Sequence, residues 1–111
     1  MADTSTSELL HGTLEALVLK TLSSGRLHGY GIARAIEDAT DGVVTVEEGS
    51  LYPALYRMEK KGRIEAEWGV SELGRRAKFY RLTREGRETL RVETRAWAEF
   101  SAAVSKVLLP A

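Results

Sequence analysis

Apolar residues recur at steps of three and four from Glu8 to Ser23, where Leu10, Leu14, Leu17, Val18 and Leu22 share a side. That spacing predicts an amphipathic first helix, closed by Ser24-Gly25. Leu27-His28-Gly29-Tyr30 reads as a turn, with His28 hydrogen-bonding locally, that opens a second helix from Gly31 to about Ala39. Ile32, Ala33 and Ile36 face inward in it, and Asp41-Gly42 breaks it. Val43 to Val46 reads as a short β-like or extended segment. A third helix is expected from about Glu47 to Lys61, with Leu51, Leu55 and Met58 on its buried side and Gly62 as its stop. Its start has two registers, one capped by Thr45 with Glu48 and one by Ser50. Pro53 has to sit near that start, because its ring crowds the carbonyl four residues earlier.

The period then changes from 3.6 to 2. Ile64, Ala66 and Trp68 alternate with Glu65, Glu67 and Gly69 as a half-buried strand, with Trp68 expected in the core. Ser71 to Arg76 forms the hairpin tip, and Ala77 to Leu82 returns with Lys78, Tyr80 and Leu82 on one face. Thr83 caps a last helix from Arg84 to about Leu108, before Pro110. At 1.5 Å per residue this helix is roughly 35 Å long. Three helices, a hairpin and a long helix make a mainly α fold with a small β-hairpin, a winged helix-turn-helix followed by a C-terminal dimerisation helix. The expected divisions are a flexible N-terminal tail over 1–8, the winged domain over 9–83, the dimerisation helix over 84–108 and a tail over 109–111.

Composition narrows the function. In 111 residues there are no cysteines, so disulfides, thiolate metal sites and thiol catalysis are excluded. No metal site is expected, since His11 and His28 lack ligand spacing. No apolar run has the ~18 residues of a membrane span, and a cytoplasmic protein without cofactors is expected. Phosphate loops, nucleophile elbows and dinucleotide fingerprints are missing, which argues against an enzyme. Sixteen basic and sixteen acidic residues cancel, yet they are segregated. Residues 1–49 hold three bases and eight acids, residues 50–87 hold ten bases and five acids, and residues 88–111 hold three of each. The basic excess therefore coincides with the third helix and the hairpin, as an electrostatic footprint for nucleic acid requires.

Projected at ~100° per residue, the third helix turns Gly49, Pro53, Tyr56, Arg57 and Lys60 away from Leu51, with Ser50 and Tyr52 at the flanks. Arginine offers a two-pronged donor to guanine edges, and Lys, Ser and Tyr bind phosphate or bases. No carboxylate of that helix lies near the middle of this face. Arg75, Arg76 and Lys78 crowd the hairpin tip, suited to a phosphate backbone or a minor groove. Leu90, Trp97, Phe100, Val104, Val107 and Leu108 form a surplus apolar stripe on the last helix. With Leu10 and Leu14 of the first helix, the stripe is the expected dimer interface. Trp97 is also the candidate wall of a pocket for a small aromatic effector between protomers.

Leu27-His28-Gly29-Tyr30-Gly31-Ile32, the stretch from Gly49 to Glu59 (GSLYPALYRME) and Lys78-Phe79-Tyr80-Arg81-Leu82-Thr83 resemble the PadR family of bacterial transcriptional regulators. Arg75-Arg76-Ala77-Lys78-Phe79-Tyr80 is similar to short members typical of acidobacteria, which have a single C-terminal helix. The resemblance implies a homodimeric repressor on a pseudo-palindromic double-stranded DNA operator. It implies DNA contacts at Tyr30, Ser50, Tyr52, Pro53, Tyr56, Arg57 and the wing bases. Some relatives release DNA on binding phenolic acids or planar drugs, with a tryptophan of the last helix that Trp97 matches. The rival reading is a winged-helix adaptor for protein partners without specific DNA binding, since fold does not fix function.

Overall fold

The computed structural model describes residues 12–110, and the expected tail at 1–8 and the interface position Leu10 lie outside them. The order is α1 (Leu14–Leu22), β1 (Leu27–His28), α2 (Gly29–Ala39), α3 (Glu48–Lys60), β2 (Ile64–Val70), β3 (Arg76–Leu82) and α4 (Arg84–Leu108). The three strands form one antiparallel sheet in the order β1-β3-β2. A turn at Gly12 and Thr13 precedes α1, and the expected start of the first helix at Glu8 lies outside the described residues.

Two expectations are corrected at this level. Leu27-His28 is not only a turn. It pairs with β3, Leu27 opposite Tyr80 and His28 opposite Phe79. Two residues are too few to show an alternation, and only the finished hairpin offers them an edge. His28 nevertheless makes its expected local bond, since its Nδ1 accepts from the Gly31 amide at 3.0 Å and caps α2. Val43 to Val46 forms no strand, although Val46 is buried in the core.

Helix α3 ends on a paired turn. Gly62, at φ +77°, turns the chain so that its amide reaches the Glu59 carbonyl and the Arg63 amide reaches that of Met58, both at 3.0 Å. The start is set at Glu48, close to the earlier of the two registers, and neither side-chain cap forms: Glu47 precedes the helix without capping it. Pro53 thus stands inside the helix, in its second turn. Its missing N–H leaves the Gly49 carbonyl without the usual partner.

Leu14, Val18, Leu19, Leu22, Ile32, Ile36, Leu51, Leu55, Met58, Ile64, Tyr80 and Leu82 close one core between the three N-terminal helices and one face of the sheet. The start of α4 is pinned to this body. The Thr83 hydroxyl accepts from the Gly86 amide at 3.0 Å and donates to the Gly62 carbonyl at 2.7 Å. Gly86 lies against the Arg63 carbonyl, where any Cβ would overlap that oxygen. From there α4 leaves the body, and every residue from Arg91 to Phe100 is exposed.

Candidate nucleic-acid interface

The interface is built from the buried side outward. Leu51, Ala54, Leu55 and Met58 anchor α3 in the core. A helix has only one side to bury, so Gly49, Ser50, Tyr52, Pro53, Tyr56, Arg57 and Lys60 are all turned to solvent. The wing stands beside them. Across the hairpin, Trp68 pairs with Lys78 and Val70 with Arg76. At its tip, the Ser71 amide donates to the Arg75 carbonyl at 2.8 Å, and the Gly74 amide to the Ser71 carbonyl at 2.9 Å. These bonds hold Arg75 and Arg76 at the end of the hairpin, both exposed.

A groove of about 570 Å³ separates the wing from the start of α2 and the first turns of α3. Tyr30 and Tyr52 line one side of it, Trp68, Arg75, Arg76 and Lys78 the other. Tyr30 is exposed at the second position of α2, where its hydroxyl accepts from Arg34 at 3.1 Å. That bond, with Asp38 nearby, holds the Arg34 guanidinium above its ordinary range. Tyr52 lies over Gly29, where no larger residue leaves room for its ring. At the back of the groove, burial pushes the Tyr80 phenol above the ordinary tyrosine range, with Glu59 and Tyr52 adding to the effect.

Two carboxylates, Glu15 of α1 and Glu59 of α3, alter the charge of this face. Glu15 of α1 accepts from Arg57 at 3.2 Å and lies 3.9 Å from Arg63. Lys78 is drawn back to Glu59 at 3.5 Å. Projecting α3 alone shows no acid at the centre of its outer face, and that is true of the helix. The acids reach its margins: Glu15 comes from α1, which a projection of α3 cannot contain, and Glu59 is on α3 itself, beside the wing. Lys60, Arg75 and Arg76 have no ion pair among the described residues. They are the cations of this face whose charge stays unneutralised.

Trp68 corrects the sequence reading. It is 59% exposed, not in the core, and the Arg76 guanidinium lies over its ring at 4.4 Å from the centroid. The hairpin runs past the end of the helical layer beneath it, so inward alternation does not amount to burial there. The residues expected in a dimer interface also divide. Leu14 is in the protomer's own core and Leu90 packs partly against it. Trp97, Phe100, Val107 and Leu108 are exposed, and Val104 is half-buried. Among the described residues no cluster of three or more His, Cys, Asp or Glu is arranged to hold a metal. No helix among them is long and apolar enough to cross a membrane.

The model of the transcriptional regulator PadR-like family matches residues 18–92, from the first helix through the wing into α4. The chain belongs to the PadR-like family of transcriptional regulators. A PadR-like transcriptional regulator from Bacillus cereus superposes with a TM-score of 0.79 at 32% identity, covering 94% of this chain and 99% of that one. A PadR family regulator from Eggerthella lenta gives 0.80 at 30% identity, covering 97% and 92%. An uncharacterized protein X of Lysinibacillus sphaericus is 32% identical over 84% of this chain and 85% of its own. The transcriptional regulator YqjI of Escherichia coli is 35% identical over 66 residues, which make up 32% of that longer protein. The PadR-like fold of this chain is therefore a winged helix for DNA-binding regulation, with four described helices and a three-stranded sheet.

Proposed function

We propose that this PadR-like regulator is a repressor acting as a homodimer on a pseudo-palindromic operator. In this reading residues 9–83 are the DNA-binding domain and α4 the dimerisation element. Helix α3 enters the major groove through Ser50, Tyr52, Pro53, Tyr56, Arg57 and Lys60. The wing bases Arg75, Arg76 and Lys78, with Tyr30, hold the flanking backbone. The observation that carries the reading is the solvent-facing side of α3 beside a wing whose Arg75 and Arg76 have no ion pair among the described residues. Unneutralised cations next to hydroxyls and a groove suit a polyanion better than a protein surface. Two protomers would set their α3 helices about one DNA turn, ~34 Å, apart.

A small aromatic effector, bound between protomers against Trp97, is the regulatory part of the proposal. It is supported by an indole left 53% exposed on the α4 stripe. The test is selection of bound duplexes from a random pool, followed by titration of the selected sequence at several salt concentrations. The expected result is an inverted repeat bound far more tightly than random DNA, with affinity falling steeply as salt rises. A pool that yields no consensus overturns the operator. A wild-type protein that binds no duplex at low salt overturns DNA binding.

A further inference from the structure

Arg81 and Lys78 of the sheet, and Arg26 just before β1, each lie against a carboxylate, Glu65, Glu59 and Glu67 respectively, although Arg26 is also over the Phe79 ring and Lys78 over that of Tyr80. Arg76 lies instead on the face of Trp68, 4.4 Å from its centroid, with no carboxylate within ion-pair distance among the described residues. The distinction is physical. A carboxylate restrains a guanidinium and cancels its charge, whereas an aromatic face restrains it and leaves the full charge and the outward N–H groups available. The strand register provides this arrangement: Trp68 is opposite Lys78, and Arg76 is one step along the same face, opposite Val70. A diagonal pair on one face is within reach of an indole and a guanidinium.

We infer that Trp68 is a positioning residue for DNA binding: its indole holds Arg76 at the edge of the groove between the wing and α3, ready for a backbone phosphate. The inference rests on the DNA-binding reading above. An arginine already held in place loses less side-chain entropy when it meets the phosphate. Because a phosphate carries no sequence information, the contribution is the same for operator and for random DNA.

The experiment has two parts. In the free full-length protein, side-chain NMR of the arginines should find the Arg76 Nε proton upfield of the others through the indole ring current, and Trp68→Leu should abolish the shift. An Arg76 signal with no such shift overturns the stacking. Binding is then read by fluorescence anisotropy on the selected operator and on a random duplex of equal length. Trp68→Ala and Trp68→Leu should each weaken both duplexes roughly two- to fivefold per wing, while Trp68→Phe stays close to wild type. The Trp68→Ala/Arg76→Ala double variant should bind no more weakly than Arg76→Ala alone. Binding by Trp68→Leu at the wild-type level, additive losses in the double variant, or a loss confined to the operator each overturn the inference. If the ring-current shift is present but wild type binds neither duplex, the DNA-binding reading has failed and the positioning role falls with it.

Discussion

At Gly86 two residue-scale effects oppose each other. Alanine in a helix is favoured over glycine by up to ~1 kcal/mol. Here its Cβ would overlap the Arg63 carbonyl, which is itself held by the Thr83 amide at 3.2 Å and has nowhere to retreat. Overpacking of this kind costs about 1–3 kcal/mol or more, so the clash wins. Gly86→Ala should lower Tm by several degrees in a thermal melt, and an unchanged Tm would refute the close approach. Tyr80 offers a second test. Its phenol holds its proton more tightly in the folded chain, because burial disfavours the anion. Its contribution to stability is therefore complete below the ordinary tyrosine range near pH ~10 and declines as pH rises through it. Urea midpoints of wild type and Tyr80→Phe, compared across that range, should show a steeper alkaline decline for wild type.

Elements were legible in the sequence wherever a period ran long enough to be counted. The last helix was expected from Arg84 to about Leu108 behind a Thr83 cap, and that is its observed span. Thr83 does more than capping chemistry alone suggests, since its hydroxyl also donates to the carbonyl of Gly62, 21 residues earlier. Thr83→Ala should therefore cost about 1–3 kcal/mol, cap and tie together, measured by denaturant unfolding. The wing hairpin was equally readable, down to Lys78, Tyr80 and Leu82 sharing a face. Its third strand was not, because Leu27-His28 takes its conformation from β3 and has no period of its own. In the wing, Arg75→Ala with Arg76→Ala should weaken binding to all duplexes and reduce the slope of log affinity against log salt by up to roughly two. An unchanged slope removes the wing from the interface.

For the whole molecule, α4 is the decisive feature. Its first turns are locked to the body, whereas every residue from Arg91 to Phe100 is exposed. Trp97 and Phe100 are therefore exposed at 53% and 64%, an apolar stripe suited to a second copy of the chain. If the proposed homodimer joins through this stripe, wild type should sediment as a dimer and Trp97→Glu as a monomer in analytical ultracentrifugation, and a dimer that persists in Trp97→Glu would refute the role of the stripe. Charge has to be read at the same scale. The formal total is zero, and the sequence already located its basic excess in the third helix and the wing. Which of those bases keep their charge was decided by folding. Glu15 meets Arg57 across 42 positions of chain, and Glu59 meets Lys78, while Arg76 goes to Trp68. Periodicity, capping and stop signals act over a few residues, so the helices, the hairpin, their order and the outward side of α3 could be read along the chain alone. Ion pairs, the pairing of β1, and the exposure of Trp68 join residues far apart in the chain. These follow from the packed fold, because each depends on what a neighbouring element brings within a few ångströms.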